Sequence, residues 1–293
     1  ANGDFYTSAN ISAGFGAMIG RQMEEMWVNL EKQPFKIVEY GAGTGLLCHD
    51  ILDYLKNNSL LYENLNYCII EKSASMRELQ KTHLLEQVSW YSSIQEIPKI
   101  NGCVLSNELI DNFSVYQVIM EDQLMEIYVD YQDGFIEVMQ PANEELIDYF
   151  DTLDVHLPKG FRTEVNLEAL SWIKEVAQSL NKGFAITIDY GAESSELYKN
   201  YRRCGTLLCY HKHQNNGNPY QFIGEQDITS HVNFSALSHW GSQIGMECSG
   251  IVDQASFLLG LGIKEYQEAS LKNNSGNLQM AMQELMMNYR LFV

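Results

Sequence analysis

Basic residues are scarce in this chain. Nineteen Lys and Arg stand against 38 Asp and Glu in 293 residues, a formal net charge of -19. Binding a nucleic-acid backbone needs basic surface that displaces counterions, so no nucleic-acid partner is expected. Acidic surface favours cationic partners instead, including proteins that present Lys or Arg. Long apolar runs are missing too. The most apolar stretch, "ASFLLGLGI" (255–263), is far shorter than the roughly 20 residues of a membrane-crossing helix, and no secretory signal opens the chain. The first residue, Ala1, falls in mid-motif, as in a trimmed chain. Paired cysteines are absent as well. The six at 48, 68, 103, 204, 209 and 248 include no Cys-x-x-Cys and no zinc-type spacing, which excludes a disulfide framework and fits reduced, structural thiols. Together these absences predict a soluble, cytoplasmic protein. With 45% hydrophobic residues, 5 prolines and no internal repeat, the composition is ordinarily globular. Its length suits one large domain with insertions, or two smaller ones.

What is present is alternation. Apolar residues at helical spacing run through 11–30, followed by a strand, "FKIVEY" (35–40), a glycine loop, "GAGTG", and a helix over 46–58. Strands at 65–72, 88–92 and 102–107 follow, with a helix over 74–87. Such alternation predicts right-handed βαβ units on a parallel sheet. The pattern then changes. "VYQVIM", "LMEIYVD" and "FIEVMQ" (115–120, 124–130, 134–140) succeed one another with only turns between, predicting an antiparallel meander. A helix (166–180) and strand (184–191) restore the alternation. A Gly- and Asn-containing loop region, a helix (234–245) and strands at 246–253 and 285–293 close a sheet of about seven strands. The "EQDITSHVNFSAL" block reads as a helix start, with Asp227 or Thr229 as its cap.

The loop "VEYGAGTGLL" sets Glu39, Gly41, Gly43 and Gly45 between a strand and a helix. Glycine lets the backbone turn sharply and approach a ligand, and the helix behind it offers free N–H groups. A dinucleotide fingerprint has the spacing G-x-G-x-x-G; here it is G-x-G-x-G. The preceding Glu39 would repel a pyrophosphate but attract an ammonium. Glu71 closes the second strand, where a carboxylate can accept both hydroxyls of a ribose. The ligand that fits ammonium and ribose together is S-adenosylmethionine (SAM). A ligand-free glycine turn, or a nicotinamide cofactor if the spacing misleads, are the competing readings.

These motifs, with "GDFYTS" (3–8), "CIIEKSASMRELQ", "SNELIDNFSV", "TIDYG" (187–191), "GEQDITSHVNFSAL" and "VDQASFLLGLGI" in this order, resemble the MidA-like SAM-dependent methyltransferases. This family includes the mitochondrial complex I assembly-factor arginine methyltransferase. The resemblance spans nearly the whole chain. It implies an α/β class I (Rossmann-like, seven-stranded) fold with an inserted β meander at about 113–165, SAM as methyl donor, and a lid-like N-terminal segment and helix over 1–34. Carried over by position, Gly3, Asp4, Tyr6 and Thr7 lie near the cofactor, and Glu39, Gly41, Gly43, Gly45 and Glu71 hold it. Asn107, Glu108 and Asp111 form the acceptor side. For the mitochondrial member the product is symmetrically dimethylated protein arginine.

Methyl transfer from a sulfonium asks the protein for positioning and electrostatics. Carboxylates match the planar donor fork of a guanidinium. Glu108 and Asp111, three residues apart beyond a strand end, can share a pocket if the chain turns helically there. The blander reading has Asn107 or Asp111 capping that turn. Asp189 and Tyr190 end the next strand and are placed in the same crevice, as substrate contacts or as a plain turn. His211 and His213 have a ligand spacing but no third partner. No metal is expected, and both are read as acceptor contacts. Met280, Met282, Met286 and Met287 read as core and edge packing. The leading expectation is a protein-arginine methyltransferase acting on a basic protein. A small-molecule N- or O-methyltransferase, or a SAM-binding assembly chaperone without turnover, are the alternatives.

Overall fold

The computed structural model describes residues 13–84, 87–212, 214–271 and 289–292. The described residues divide into two compact units. One draws on 6–109, 175–188 and 248–293, the other on 110–174 and 189–247.

The first unit is a parallel sheet with helices. Helix α1 (Ala13–Asn29) leads into β1 (Phe35–Tyr40), and α2 (Leu46–Leu55) and the short α3 (Ser59–Glu63) lead into β2 (Leu65–Ile70). Helix α4 (Ala74–Lys81) precedes β3 (Val88–Tyr91), and β4 (Ile100–Asn107) follows. Phe35, Ile37 and Val38 of β1 and Cys103, Val104 and Leu105 of β4 are almost wholly buried. Near-continuous apolar runs of this kind belong to parallel strands covered on both faces. Helix α1 lies close against α2 because its facing residues are glycines. A Cβ at Gly16 would stand 2.4 Å from Cβ of Asp50, and one at Gly20 would stand 2.8 Å from the Tyr54 ring.

Two elements bridge the chain's units. Helix α6 (Leu167–Ser179) leads into β9 (Leu180–Ala192), whose residues up to Ile188 belong to the sheet of the first unit. Strands β14 (Ile251–Asp253) and β15 (Tyr289–Phe292), with α9 (Gln254–Gly260) and α10 (Ile263–Leu271), complete it. The strand order is β14-β15-β9-β4-β1-β2-β3. Strands β1 to β4 and β9 run parallel, and β14 and β15 pair antiparallel. The sheet has eight strands rather than seven, because the two-residue β13 (Val232–Asn233) pairs with the end of β9. The order reverses between β1 and β4, the switch point where open α/β sheets place their ligands.

The second unit holds a four-stranded antiparallel sheet in the order β7-β6-β5-β8, from β5 (Tyr116–Met120), β6 (Leu124–Tyr131), β7 (Phe135–Pro141) and β8 (Arg162–Val165). The three strands read from the sequence are there; β8 joins them after α5 (Glu144–Thr152). Helix α8 (Phe234–Ser242) packs with α5 through Tyr149 and Trp240, whose rings stack 5.5 Å apart. Val118, Leu146, Phe161 and Val165 fill the core beside them.

Several expectations need correction. The loop region after β9 contains the short helix α7 (Ser194–Leu197) and a small sheet of β10 (Leu208–His211), β11 (Gln214–Asn215) and β12 (Asp227–Thr229). Neither Asp227 nor Thr229 caps a helix, since both lie in β12; Asn233 caps α8, accepting the Ala236 N–H at 3.3 Å. The strand expected over 246–253 is confined to 251–253, and α4 ends at Lys81. Met280, Met282, Met286 and Met287 lie outside the described residues.

Glycine also sets the spacing of the sheet. At Gly102 (φ +148°) a Cβ would stand 2.0 Å from the Lys36 carbonyl oxygen, and at Gly183 another would stand 2.1 Å from that of Gly102. Gly102→Ala is therefore expected to lower stability by about 3 kcal/mol, from overpacking and backbone strain together. The shift in the urea unfolding midpoint at constant slope measures it.

Candidate active site

Parallel pairing fixes which residues stand level at the carboxyl edge of the sheet. Tyr40 pairs with Ile70 on one side and with Ser106 on the other, and Asn107 pairs with Ile188. One step further on, Glu71, Gly41 and Asn107 form a row across the switch point, at strand spacings of about 4.8 Å. The Gly41 N–H donates to the Ile70 carbonyl at 3.0 Å, and the Glu71 N–H to the Tyr91 carbonyl at 3.1 Å. The sheet thus brings together three of the residues singled out in the sequence.

The loop leaving β1 is left-handed at each glycine, with φ +61° at Gly41, +51° at Gly43 and +86° at Gly45. Only glycine takes such values without strain. Among the described residues nothing lies within 4 Å of where a Gly43 Cβ would be, so they leave the loop backbone open there. Gly45 is the N-cap of α2 and brings no side-chain bond to it, which leaves the first N–H groups of that helix to other acceptors.

Gln80 braces this loop. It is fully buried, donates through Nε2 to the Gly43 carbonyl (2.8 Å) and to Glu71 Oε2 (3.5 Å), and accepts the Trp90 indole N–H at 2.8 Å. Hydrophobic patterning does not find it. On α4 the neighbouring Leu79 is 43% exposed while Gln80 is turned inward, the reverse of what side-chain polarity alone favours. Glu71 also accepts the Ser73 N–H at 2.8 Å, which fixes its carboxylate at the start of α4.

Glu39 lies inside β1, 2% exposed, and accepts the Tyr67 hydroxyl at 2.6 Å. Burial pushes its carboxyl up to about 7, and the Tyr67 bond pulls in the opposite direction. Near neutral pH this group is therefore divided between charged and neutral forms.

Asn107 ends β4 with its carbonyl Oδ1 buried and, among the described residues, without a hydrogen-bond partner. Its amide faces Glu108 Oε1 at 3.4 Å. Glu108 adopts φ +50°, unusual for a residue other than glycine, and its N–H donates to the Ile188 carbonyl at 2.9 Å. Strain of this kind, of order 1–3 kcal/mol, gathers at functional sites. An orphaned buried acceptor at the same point asks for a donor.

The second unit begins with a 3-10 turn, Ile110–Asn112. Neither Asn107 nor Asp111 caps it. Asp189, fully buried, accepts the N–H groups of Ile110 (2.9 Å) and Asp111 (3.4 Å) on Oδ2 and that of Tyr190 (2.9 Å) on Oδ1. Asp111, expected on the acceptor side, is 4% exposed. Its oxygens take the Thr229 hydroxyl at 3.0 Å and the Asn112 amide at 2.8 Å. Burial raises both carboxyls of the Asp111–Asp189 pair, and the charge of Asp111 raises Asp189 further. His211 bonds the Glu225 carbonyl at 2.9 Å and stacks on Phe222 at 4.1 Å, at the end of β10. Gly3, Asp4, Tyr6, Thr7 and His213 lie outside the described residues.

Comparison with known proteins bears directly on this geometry. A family model described as an S-adenosyl-L-methionine-dependent methyltransferase matches residues 18–252. The mitochondrial protein arginine methyltransferase NDUFAF7 of Bos taurus is 28% identical over 89% of this chain, and that of Homo sapiens 26% identical over 98%. The chain spans 64% of the bovine protein's length and 69% of the human one. A Burkholderia thailandensis crystal structure bound to S-adenosyl-homocysteine is 27% identical, with a TM-score of 0.88 over 98% of this chain and 78% of its own. The expectation of a cytoplasmic protein is overturned by the curated relatives, which are mitochondrial.

Two outcomes follow from the polar interior. Gln80→Leu strands the Gly43 carbonyl and the Trp90 N–H. It is expected to weaken S-adenosyl-homocysteine binding about tenfold, within the usual loss for unpaired buried groups, as read by calorimetry. The raised carboxyls of Asp111 and Asp189 mean that the folded state holds a proton the unfolded chain releases. Their contribution is complete below the ordinary Asp range near pH 4 and is lost as pH rises. Asp111→Asn, which removes the repulsion, is expected to flatten the fall in stability as pH rises above the ordinary Asp range, measured by urea unfolding at each pH.

Proposed function

The chain belongs to the S-adenosyl-L-methionine-dependent methyltransferases, and from that premise we propose that it methylates an arginine side chain of a protein. The observation that carries the proposal is Asn107. An unpartnered buried carbonyl oxygen at the end of β4 stands one strand from Gly41, where a nitrogen-bearing acceptor and the methyl donor would meet. The relatives named as protein arginine methyltransferases support arginine as that acceptor.

The residues present suit SAM. Open backbone at Gly43 admits a ligand, and the unbonded start of α2 suits the carboxylate of its methionine part. Glu71, held by Gln80 and the Ser73 N–H, is placed to take ribose hydroxyls, and Glu39 in its charged form attracts an ammonium. Gly41, Gly43 and Gly45 keep the approach clear. SAM supplies a methyl carbon already activated by its sulfonium.

What remains for the chain is to hold the acceptor and handle one proton. Glu108 is assigned to bind the guanidinium through its carboxylate, orienting one nitrogen toward the methyl group. The carbonyl of Asn107 accepts an N–H from the same guanidinium. A guanidinium gives up a proton as its nitrogen is alkylated, and we assign the Glu108 carboxylate to take it. Asp111 and Asp189 act at one remove, by fixing the turn that follows Glu108. Tyr190 and His211 lie in the second unit and take no part in this assignment.

Glu108→Gln is expected to lower methyl transfer to an arginine-bearing protein at least about 100-fold while leaving SAM affinity within twofold. A labelled-SAM assay and calorimetry give the two readings, and equal loss of both moves Glu108 to the cofactor side. SAM affinity is also expected to rise as pH passes through about 7, because Glu39 then gains its charge. Glu39→Gln should abolish that rise.

A further inference from the structure

The second unit carries an exposed apolar face that its own fold does not use. On the β6–β7 hairpin, Tyr131 pairs with Phe135, Val129 with Glu137 and Ile127 with Met139, so these residues share one side of the ribbon. Val129 is 53% exposed, Tyr131 67%, Phe135 44% and Met139 49%. Tyr131 meets Phe135 edge-on at 5.6 Å, and Phe135 stacks on Tyr220 at 5.9 Å, which makes a continuous aromatic surface. Contiguous apolar exposure of this kind marks interaction sites on soluble proteins.

The same hairpin ends in an unpaired edge. Among the described residues strand β7 is last in its sheet, with no strand beyond it. Natural edge strands are usually guarded by lysine or covered by other elements. Here β6 and β7 contain no basic residue at all. The charge of this unit is mostly negative, although Arg162 pairs with Glu137 of β7 at 2.6 Å. Residues 110–174 carry fourteen Asp and Glu against Lys159, Arg162 and Lys174, and Asp130 and the turn residue Asp133 are exposed beside the aromatics. Asp130 and Asp133 are therefore the exposed charges that flank the aromatic ribbon directly.

Building on the arginine reading above, we propose that this hairpin is the docking surface for a basic, arginine-bearing protein segment. The aromatic faces suit a planar guanidinium, which stacks on them more readily than a lysine ammonium does. Asp130 and Asp133 attract the same cations from further away, and the free edge of β7 offers main-chain pairing to an extended segment. An acidic or neutral partner finds neither the charge nor the stacking it needs.

Fluorescence anisotropy with labelled nona-arginine and nona-lysine, in the absence of SAM, tests the proposal. Nona-arginine should bind several-fold more tightly than nona-lysine, and less tightly as salt increases. The double substitution Tyr131→Ala/Phe135→Ala should lower nona-arginine affinity about tenfold, two stacking contacts being removed, with SAM affinity unchanged. The single substitution Val129→Lys, on the exposed face, should lower it in the same direction and guards against misfolding of the double variant. Unchanged binding in these variants means that general acidity alone attracts the peptide, and overturns the proposal. Peptide binding that depends on the hairpin in a protein that transfers no methyl group overturns the arginine-methylation reading and leaves the docking surface standing. Transfer with hairpin-independent binding does the opposite.

Discussion

Everything at the carboxyl edge of the sheet depends on the lateral registration of β4 between β1 and β9. Parallel strands hold one another through evenly spaced main-chain bonds, so a shift of one residue would turn every side chain of β4 to the other face. Burial prevents that shift. Cys103, Val104 and Leu105 have almost no exposure, and Ser106 meets Thr187 hydroxyl to hydroxyl at 3.2 Å inside the sheet. Gly102 and Gly183 let the three backbones lie close enough for this pairing. Asn107 therefore stands level with Gly41 because the core below them permits no other alignment.

Polar groups inside the two units serve the edge in different ways. In the first, Gln80 ties the glycine loop to Glu71 and Trp90, so the loop and the end of β2 move as one piece. In the second, Asp189 gathers three N–H groups and Asp111 takes a hydroxyl and an amide. A carboxyl pair this deeply buried is tolerated because its oxygens are supplied with donors and a shared proton relieves the repulsion.

Much of this was legible in the residues. β1 was read over 35–40, its observed span, because a compact apolar run bounded by proline and glycine leaves little latitude. The meander was legible from three β-rich runs separated only by turns. What escaped had no periodic signal. β10, β11 and β12 are two to four residues long and polar, and they pair because the surrounding unit brings them together. Gln80 was hidden because its burial follows from three specific hydrogen bonds and contradicts its polarity. The side chain of Asp111 follows the same rule. Sequence spacing placed it on the same turn as Glu108, but its oxygens are claimed by Thr229, more than a hundred residues away, and by Asn112. Local pattern reports which residues come near an edge; only long-range partners decide which way their side chains face.

The division of the chain also orders its synthesis. The sheet unit receives β1 to β4 early, β9 later, and β14 and β15 only near the end of the chain. The second unit is complete once residue 247 has left the ribosome. During translation the antiparallel unit can close first, while the parallel sheet waits with β9 exposed for strands not yet made. The edge of β9 that β15 will cover is then an aggregation hazard for as long as the ribosome is still writing residues 248–292.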